Sequence, residues 1–273
     1  MDFLFIILSI AFLLTGIISG FIAGLLGVGG GIIIVPITYF ILLNLGYSID
    51  VVMHIAITSS LGIIVLTSIS SIRSHMKLKN IDFDIVKKWA PGIIIGSIIG
   101  SFSATFISGE YLVLIFCTIL FLLSIRMFFQ KGFIFIANDI PKNFLLNFLI
   151  SSMIGFLSVI MGIGGGSFSV PTLSAFSKSI HRAIGTSAFI GFLISAPGVI
   201  TYILSSRDIN GLPPYSFGYA NYFIILLVAS TSIFTANIGA KFSFNTKKST
   251  LKKIFAVFLF CTCISLIIEH YIL

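Results

Sequence analysis

Two glycine motifs in this chain have the residue types and the spacing of an anion site. The first motif is Gly27-Val28-Gly29-Gly30-Gly31, which is followed by Val35-Pro36. The second, 135 residues later, is Gly162-Ile163-Gly164-Gly165-Gly166, which is followed by Val170-Pro171. Because glycine has no Cβ, successive backbone N–H groups can converge on one oxyanion. The N-terminus of a helix adds a partial positive charge of about half a unit. The motifs therefore predict a site for a small anion that uses neutral backbone donors.

Hydroxyl and amide side chains extend this donor set. Thr58-Ser59 and Thr186-Ser187 follow the two motifs at matched places, and Asn237 is expected to be a buried amide with no counterpart in the other half. The hydroxyls have a second interpretation, in which each bonds a carbonyl of its own helix. The predicted substrate-binding residues are Gly29, Gly30, Gly31, Gly164, Gly165, Gly166, Thr58, Ser59, Thr186, Ser187 and Asn237.

The positions of the charged residues bear on the charge of the substrate. All eight acidic residues fall at the ends of apolar segments or between them, and no Lys or Arg lies at a segment centre. Cation pumps and proton relays usually carry a carboxylate within the membrane, so this pattern argues against a cation substrate. The spans also contain no pair of nucleophile and base and no cluster of metal ligands, so we expect no enzyme activity, no metal and no cofactor.

Composition places these motifs in a membrane. Of the 273 residues, 58% are hydrophobic and only 9% are charged, and the mean hydropathy is +1.18. Soluble domains keep roughly a quarter of their residues charged, and many apolar runs here approach the ~20 residues needed to cross a bilayer. The sequence therefore predicts one transmembrane domain. The net charge of +8 fits basic loops on the cytoplasmic side better than binding to nucleic acid.

Hydropathy divides the chain into ten apolar segments. Segments two and seven are short, and each follows a glycine motif and begins near a Val-Pro pair, where proline is tolerated in a helix's first turn. They are therefore expected to be half-length helices. The predicted segments are 3–26, 32–46, 51–72, 86–107, 110–130, 143–161, 167–177, 183–205, 217–240 and 250–271.

The basic residues test this count. If the segments cross the membrane alternately, 15 of the 16 Lys and Arg residues lie on one side, and only Arg207 lies on the other. Because basic loops stay in the cytoplasm, both termini are expected on the outer side. The expected location is the cytoplasmic (inner) membrane of a bacterium.

The two motifs lie five segments apart, and an odd number reverses the orientation of the second half. The predicted fold is all-α, with about ten transmembrane or half-membrane helices in two inverted repeats, roughly 1–135 and 136–273. Broken helices of such repeats meet near the midplane. The alternative is that the glycines only allow close helix packing. That interpretation suits the glycines spaced by four, at Gly16, Gly20 and Gly24 and at Gly92, Gly96 and Gly100, but not the triplets.

The duplicated motif and the Thr-Ser pairs resemble the sulfite exporter TauE/SafE family, within the toluene-sulfonate uptake permease group. The resemblance covers nearly the whole chain, and it implies a substrate such as sulfite, sulfoacetate or a related organosulfur anion. The spacing argument alone implies only a small anion. Ser167, Phe168 and Ser169 stand where the first copy has three isoleucines, so the two halves are not chemically equivalent.

The leading interpretation is a secondary transporter for a small sulfur-containing anion that works by alternating access. An anion channel, a transporter of another small carboxylate or inorganic anion, and a membrane scaffold remain as alternatives. The expected partners are the bilayer and the anion, and a homo-oligomer is left open. Gly30→Ala and Gly165→Ala are each expected to abolish binding, because a Cβ crowds the ligand and disfavours a positive φ.

Overall fold

The computed structural model describes residues 2–26, 30–129, 135–206, 209, 211–245 and 248–271. These ranges contain ten helices and one two-stranded hairpin, which confirms the predicted ten apolar segments. The elements are α1 (Asp2–Leu26), α2 (Gly31–Asn44), α3 (Ile49–Lys77), α4 (Phe83–Ala104), α5 (Gly109–Phe129), α6 (Phe144–Ile160), α7 (Gly166–Ala175), α8 (Ile180–Leu204), β1 (Ser216–Phe217), β2 (Ala220–Asn221), α9 (Tyr222–Asn245) and α10 (Lys248–Tyr271).

Helix length separates membrane-crossing elements from half-length ones. In the described ranges, six helices are long and apolar enough to cross a membrane, namely α1, α3, α4, α5, α8 and α9. By contrast, α2 has 14 residues and α7 has 10. At about 1.5 Å per residue these two helices fall well short of the ~30 Å hydrocarbon core. The prediction that segments two and seven are short is therefore confirmed.

The outer surface of the bundle is apolar. Phe3, Phe106, Phe129 and Phe234 are 72–78% exposed, and isoleucines on α1 and α4 are exposed beside them. A soluble protein rarely exposes apolar patches this extensive, whereas lipid solvates them. The chain is accordingly an all-α integral membrane protein.

Close packing at glycines joins α1 to α9 and α4 to α6. A Cβ on Gly16 would lie 2.4 Å from the Val228 carbonyl oxygen, and one on Gly20 would lie 2.6 Å from that of Ser232. Residue numbers rise together along both helices, so α1 and α9 run parallel. Gly92 and Gly96 contact successive turns of α6 in the same way, so α4 and α6 also run parallel. The packing interpretation of the spaced glycines is confirmed at these positions.

The α3–α8 and α5–α10 pairings are antiparallel. Gly198 on α8 packs against Leu61 near the middle of α3, while Gly185 packs against Asn80 just beyond the C-terminal end of α3. Between α5 and α10, Ser124 donates a hydrogen bond to the Ala256 carbonyl at 3.0 Å, and Cys117 contacts the Cys263 carbonyl. If α1–α5 are exchanged with α6–α10, the α1–α9 pair becomes the α6–α4 pair, and the α3–α8 and α5–α10 pairs are unchanged. Two inverted halves would pack in this way. The division into repeats near residue 135 stays a prediction.

One end of the bundle gathers the predicted basic connections. Lys178 forms an ion pair with Asp139 at 2.9 Å, and the Ile136 N–H donates to the Ala175 carbonyl at 2.9 Å. The hydrogen bond from the Lys178 ammonium holds the pKa of the Asp139 carboxyl below its usual value. The α5–α6 and α7–α8 connections therefore share one end, as the predicted distribution of basic residues requires.

The hairpin before α9 departs from the sequence prediction. Segment nine was expected to begin at residue 217, but α9 begins at Tyr222, after the turn at Gly218, where φ is +56°. The Asn221 side chain accepts a hydrogen bond from the Ile224 N–H at 3.1 Å and so caps the helix. Apolar residues continue through the hairpin, so hydropathy alone did not separate it from the span.

The spaced glycines allow a test of packing apart from binding. A Cβ on Gly96 would lie 2.1 Å from the Ser152 carbonyl oxygen, so Gly96→Ala must push α4 away from α6. Overpacking of this kind typically costs about 1–3 kcal/mol. We expect a lower unfolding temperature with unchanged substrate affinity in the folded fraction, measured by thermal denaturation and by calorimetry. A loss of affinity without a loss of stability would contradict the packing role.

Candidate substrate site

The two glycine motifs are in direct contact. The α2 helix begins at Gly31 after Gly30, and α7 begins at Gly166 after Gly165. A Cβ on Gly31 would lie 2.3 Å from the Gly162 carbonyl oxygen and 2.9 Å from the Cα of Ile163. The start of α2 therefore packs against the backbone that leads into α7.

This contact lies at mid-height of the two long central helices. Ser60, near the middle of α3, donates a hydrogen bond to the Gly162 carbonyl at 2.7 Å. Gly164 packs against Ile64 of α3, and Gly165 packs against Ile190 and Ile194, near the middle of α8. The N-terminal ends of α2 and α7 are therefore held deep inside the bundle, away from both ends of α3 and α8.

The start of α7 offers donors that its own helix does not satisfy. The first N–H groups of a helix have no acceptor within it, and among the described residues the Gly165 N-cap has no side-chain bond. Ser169 adds a hydroxyl that is fully buried and has no hydrogen-bond partner in the described structure. Its Oγ lies 3.2 Å from where a Cβ on Gly165 would stand. Buried polar groups are rarely left unsatisfied, so this end of α7 is suited to hold a ligand with acceptor oxygens.

The backbone conformation corrects one expectation. Gly30 has a φ of −73° and Gly165 a φ of −55°, both in the right-handed helical region. The positive φ in the second motif belongs to Gly162, at +62°. The requirement for a positive φ at Gly30 and Gly165 is therefore wrong, because each residue already continues into the first turn of a helix.

Two of the predicted hydroxyls join α3 and α8 to other helices. Ser59 accepts a hydrogen bond from the Asn221 N–H at 3.1 Å, and Thr186 accepts one from the Asp82 N–H at 3.0 Å. Asn221 and Asp82 cap α9 and α4 through their side chains. In both halves, a hydroxyl of the Thr-Ser pair thus fixes the start of a helix from the other half.

The remaining two hydroxyls differ from each other. Ser187 donates to the Ile184 carbonyl of its own helix at 2.8 Å, which is the second interpretation raised from the sequence. Thr58 is fully buried, and its hydroxyl has no partner in the described structure. Of the four hydroxyls, Thr58 is therefore the one whose side chain is left unsatisfied.

The hydrogen bond of Thr186 predicts that mutations at the two residues of this Thr-Ser pair differ in their effect on stability. Thr186→Val removes the acceptor of the Asp82 N–H, and a buried donor left unpaired costs about 1–3 kcal/mol. Ser187→Ala removes only a bond within its own helix, and we expect little change. Thermal unfolding of the two purified variants measures this difference. Equal unfolding temperatures would show that the Thr186 contact contributes nothing to stability.

Two predicted site residues do not enter the described site. Asn237 is exposed, and its Nδ2 donates to the Ile233 carbonyl within α9 at 3.4 Å. The expectation of a buried amide is wrong, because the face of α9 that meets α1 is formed by Ser232 and Gly239 on either side of it. Gly29 lies outside the described residues.

Three residues at the contact were not among the predicted site residues. Ser60 directly follows the Thr-Ser pair, Gly162 opens the second motif, and Ser169 replaces an isoleucine of the first copy. The replacement at Ser169 was a usable signal, because a hydroxyl inside an apolar half-helix needs a partner. Ser60 carried no such signal, since its role depends on the carbonyl that it meets in the other half.

Acidic side chains stay at the helix ends, as predicted. Asp50 and Glu110 lie in the first turns of α3 and α5, and Asp82 caps α4. In the described part of the chain, no group of three or more His, Cys, Asp or Glu side chains is placed to hold a metal ion. The mid-height contact therefore depends on backbone and hydroxyl groups for its polarity.

Helices that begin inside a membrane bundle and face one another are typical of membrane transporters. The family model of the sulfite exporter TauE/SafE matches residues 12–266. The chain belongs to this family, as the resemblance implied. No solved structure matches the chain.

Related proteins are also named as membrane transporters. A probable membrane transporter protein of Haemophilus influenzae is 34% identical over 98% of this chain and all of its own length. A second, from Methanocaldococcus jannaschii, is 30% identical over 88% of both chains. The Bacillus subtilis protein YunE, also named a probable membrane transporter, is 27% identical over 93% of this chain and 95% of its own. The chain is therefore a membrane transporter protein with a small-molecule substrate.

Proposed function

We propose that this protein is a secondary transporter that moves a small sulfur-containing anion across the cytoplasmic membrane by alternating access. The anion is sulfite or an organosulfonate such as sulfoacetate. The observation that carries the proposal is the contact between the starts of α2 and α7 at mid-height of α3 and α8.

Electrostatics favours an anion at this contact. Each helix start contributes about half a positive charge, and the low dielectric of the interior strengthens its effect. The Ser169 hydroxyl adds an unsatisfied group beside Gly165. A sulfonate offers three acceptor oxygens, which can engage both helix starts at once, whereas a carboxylate offers two. The TauE/SafE membership supports a sulfur oxyanion among the anions of this size.

The packing of the two halves supports alternating access. The α3 and α8 helices cross antiparallel, and each is tied to a helix start of the other half through Ser59 or Thr186. Repeats related in this way can exchange conformations around a fixed central site. We therefore infer two inverted repeats, with both chain termini on the outer side of the membrane.

Substrate screening tests the anion assignment. We expect sulfite, sulfoacetate and isethionate to raise the unfolding temperature of the purified protein more than carboxylates of similar shape. Stabilisation by an amine that lacks the sulfonate, with no effect of any sulfonate, would contradict the electrostatic argument. If only a carboxylate or sulfate stabilises the protein, it transports that other small anion.

Transport assays separate a carrier from an anion channel, which would use the same donors. In vesicles loaded with unlabelled anion, a carrier gives saturable counterflow of labelled anion, whereas a channel gives flux without exchange.

Orientation is tested by labelling single cysteines at positions 2 and 80 of a cysteine-free variant. We expect residue 2 to react from the outer face and residue 80 from the cytoplasmic face. Reaction of residue 2 only from the cytoplasmic face would refute the proposed orientation.

A further inference from the structure

His54 is a buried histidine near the start of α3, and both of its ring nitrogens face carbonyl oxygens. The side chain is 2% exposed. Nδ1 lies 2.6 Å from the Asp50 carbonyl in the same helix, and Nε2 lies 3.1 Å from the Ala104 carbonyl at the end of α4. A neutral imidazole has one N–H and one lone pair, so a neutral ring would set a lone pair against one of these oxygens. The imidazolium donates to both.

Burial in the apolar interior opposes a charge on the ring, and two neighbouring side chains offset part of that cost. The Asp50 carboxylate, one turn away, attracts a charged ring. The Tyr219 ring of the hairpin stacks on the imidazole, with centroids 4.5 Å apart and planes 17° apart. Aromatic faces attract cations. These are the two titratable side chains that contact or adjoin the ring from α3 and the hairpin.

The other elements that pack around the His54 ring contribute mainly backbone groups. The α4–α5 connection presents the carbonyls of Ala104 and Ile107 to the ring, and its Gly109 N–H donates to the Asp50 carboxylate at 3.1 Å. Glu110, in the first turn of α5, is exposed. From α8, the buried Tyr202 phenol interacts with Tyr219 behind the stacked pair.

Three polar side chains follow one face of α3 inward from this end. Asp50, His54 and Thr58 are spaced by four residues, so they lie one above the other. Asp50 is exposed, while His54 and Thr58 are buried, and the Thr58 hydroxyl has no partner in the described structure. Ser60, which contacts the glycine motifs at mid-height, is two residues further on and about 200° round the helix from Thr58. The stripe therefore reaches the height of the candidate substrate site from the predicted outer end of α3, on a different face of the helix.

We propose that His54 binds a proton and that this proton is the coupling ion of anion transport. Asp50 is the entry group from the outer side, and Thr58 is the next polar group inward. The coupling role rests on the proposed anion transport, whereas the proton site does not. One proton carried with a monoanion such as isethionate makes the translocated pair neutral, and one carried with a dianion such as sulfoacetate removes half of its charge. Either lowers the electrical barrier to moving charge across the membrane.

Proton loss has a structural consequence at this site. A neutral ring keeps one N–H, so it can donate to the Asp50 carbonyl or to the Ala104 carbonyl but not to both. The bond to Ala104 joins α3 to the end of α4. Protonation therefore holds α3 against α4 at the outer end, and deprotonation to the tautomer that bonds Asp50 releases it.

Nitrogen-15 NMR of histidine-labelled full-length protein in nanodiscs tests the proton site without any substrate. The chain has four histidines, and the His54 signal is identified by its absence in His54→Gln. We expect His54 to titrate from a neutral form at high pH to the imidazolium as the pH falls, with the change complete above about pH 5. A His54 ring that stays neutral down to about pH 5, below the usual range of histidine, would refute the proposal.

Proteoliposomes test the coupling. With sulfoacetate or sulfite as the probe, we expect wild-type accumulation to rise roughly tenfold per unit of pH gradient if one proton moves with each anion, since one pH unit corresponds to about 1.4 kcal/mol. His54→Gln should lose this dependence while it keeps counterflow exchange and anion binding. His75→Gln, which changes a histidine near the other end of α3, is the matched control and should behave as wild type.

The outcomes separate the two proposals. Equal pH dependence in wild type and His54→Gln would refute coupling through His54, while anion transport would stand. If no probe anion binds or moves with wild type, the proposed function and the coupling role both fail, and the NMR titration still decides the proton site. Size-exclusion profiles and unfolding temperatures of each variant show that it is folded.

Discussion

Gly31→Ala is expected to abolish transport and to destabilise the protein. The added Cβ would stand 2.3 Å from the Gly162 carbonyl oxygen and 3.0 Å from Ser60 Oγ. Both atoms are held, since Ser60 donates its hydrogen bond to that carbonyl. The methyl group therefore has to separate the two glycine motifs. Overpacking between backbones costs about 1–3 kcal/mol and occasionally more, and here it also displaces both helix starts.

Unfolding temperature and counterflow on the same preparation measure this effect. Ser60→Ala is the companion variant, because it removes the hydrogen bond without adding volume. We expect Ser60→Ala to lower stability and to retain exchange. Wild-type transport by Gly31→Ala would show that contact between the motifs is not needed for transport, and the proposal would lose its main support.

Gly165→Ala is expected to weaken substrate binding strongly in a protein that still folds. The new Cβ would lie 2.6 Å from Ile190 Cγ2 and 3.0 Å from Ile194 Cδ1. Both atoms belong to side chains rather than to backbone, so the variant can still fold. Ile190 Cγ2 is attached to a β-branched carbon and moves little within a helix, so the start of α7 has to shift. A misplaced donor leaves part of the ligand charge unpaired, and we expect a loss of about 2 kcal/mol or more, roughly thirtyfold in Kd.

Gly30→Ala is the matched control for this variant. Gly30 occupies the same position in the first copy, and its φ of −73°, like the −55° of Gly165, suits alanine. The difference is the space around a Cβ, whose nearest atom at Gly30 is the end of Ile34 at 3.2 Å. The expectation that Gly30→Ala also abolishes binding is therefore revised to a small effect. Calorimetric titration of both folded variants with sulfoacetate or sulfite provides the comparison. Equal affinities would mean that the α7 start does not bind the anion.

Much of the fold could be predicted from the sequence. Ten apolar segments, the short second and seventh helices and the acidic residues at helix ends all agree with the described structure. These features depend on hydropathy summed along the chain and on glycine and proline, which act locally. The hairpin at 216–221 was missed because apolar residues run through it into α9, so hydropathy showed no boundary.

The site could be predicted only in part. The motif positions indicated where helices begin inside the bundle, and the two motifs do meet. Asn237 was assigned to the wrong face of α9. The face that bonds α1 carries Thr231, Ser232 and Thr235, and Asn237 lies outside it. Which face of a membrane helix is buried is set by the neighbours that the helix packs against.

The sequence by itself determined that this is a membrane protein, where most of its helices lie, and which family it belongs to, because those properties are local or additive along the chain. The tertiary structure decided which polar groups find partners in other helices. Ser59 and Thr186 meet N–H groups of the other half, whereas Ser187 bonds its own helix and Thr58 stays unsatisfied. Which hydroxyl meets a partner in another helix depends on contacts between residues far apart in the chain, and the pattern of residues within one helix does not contain them.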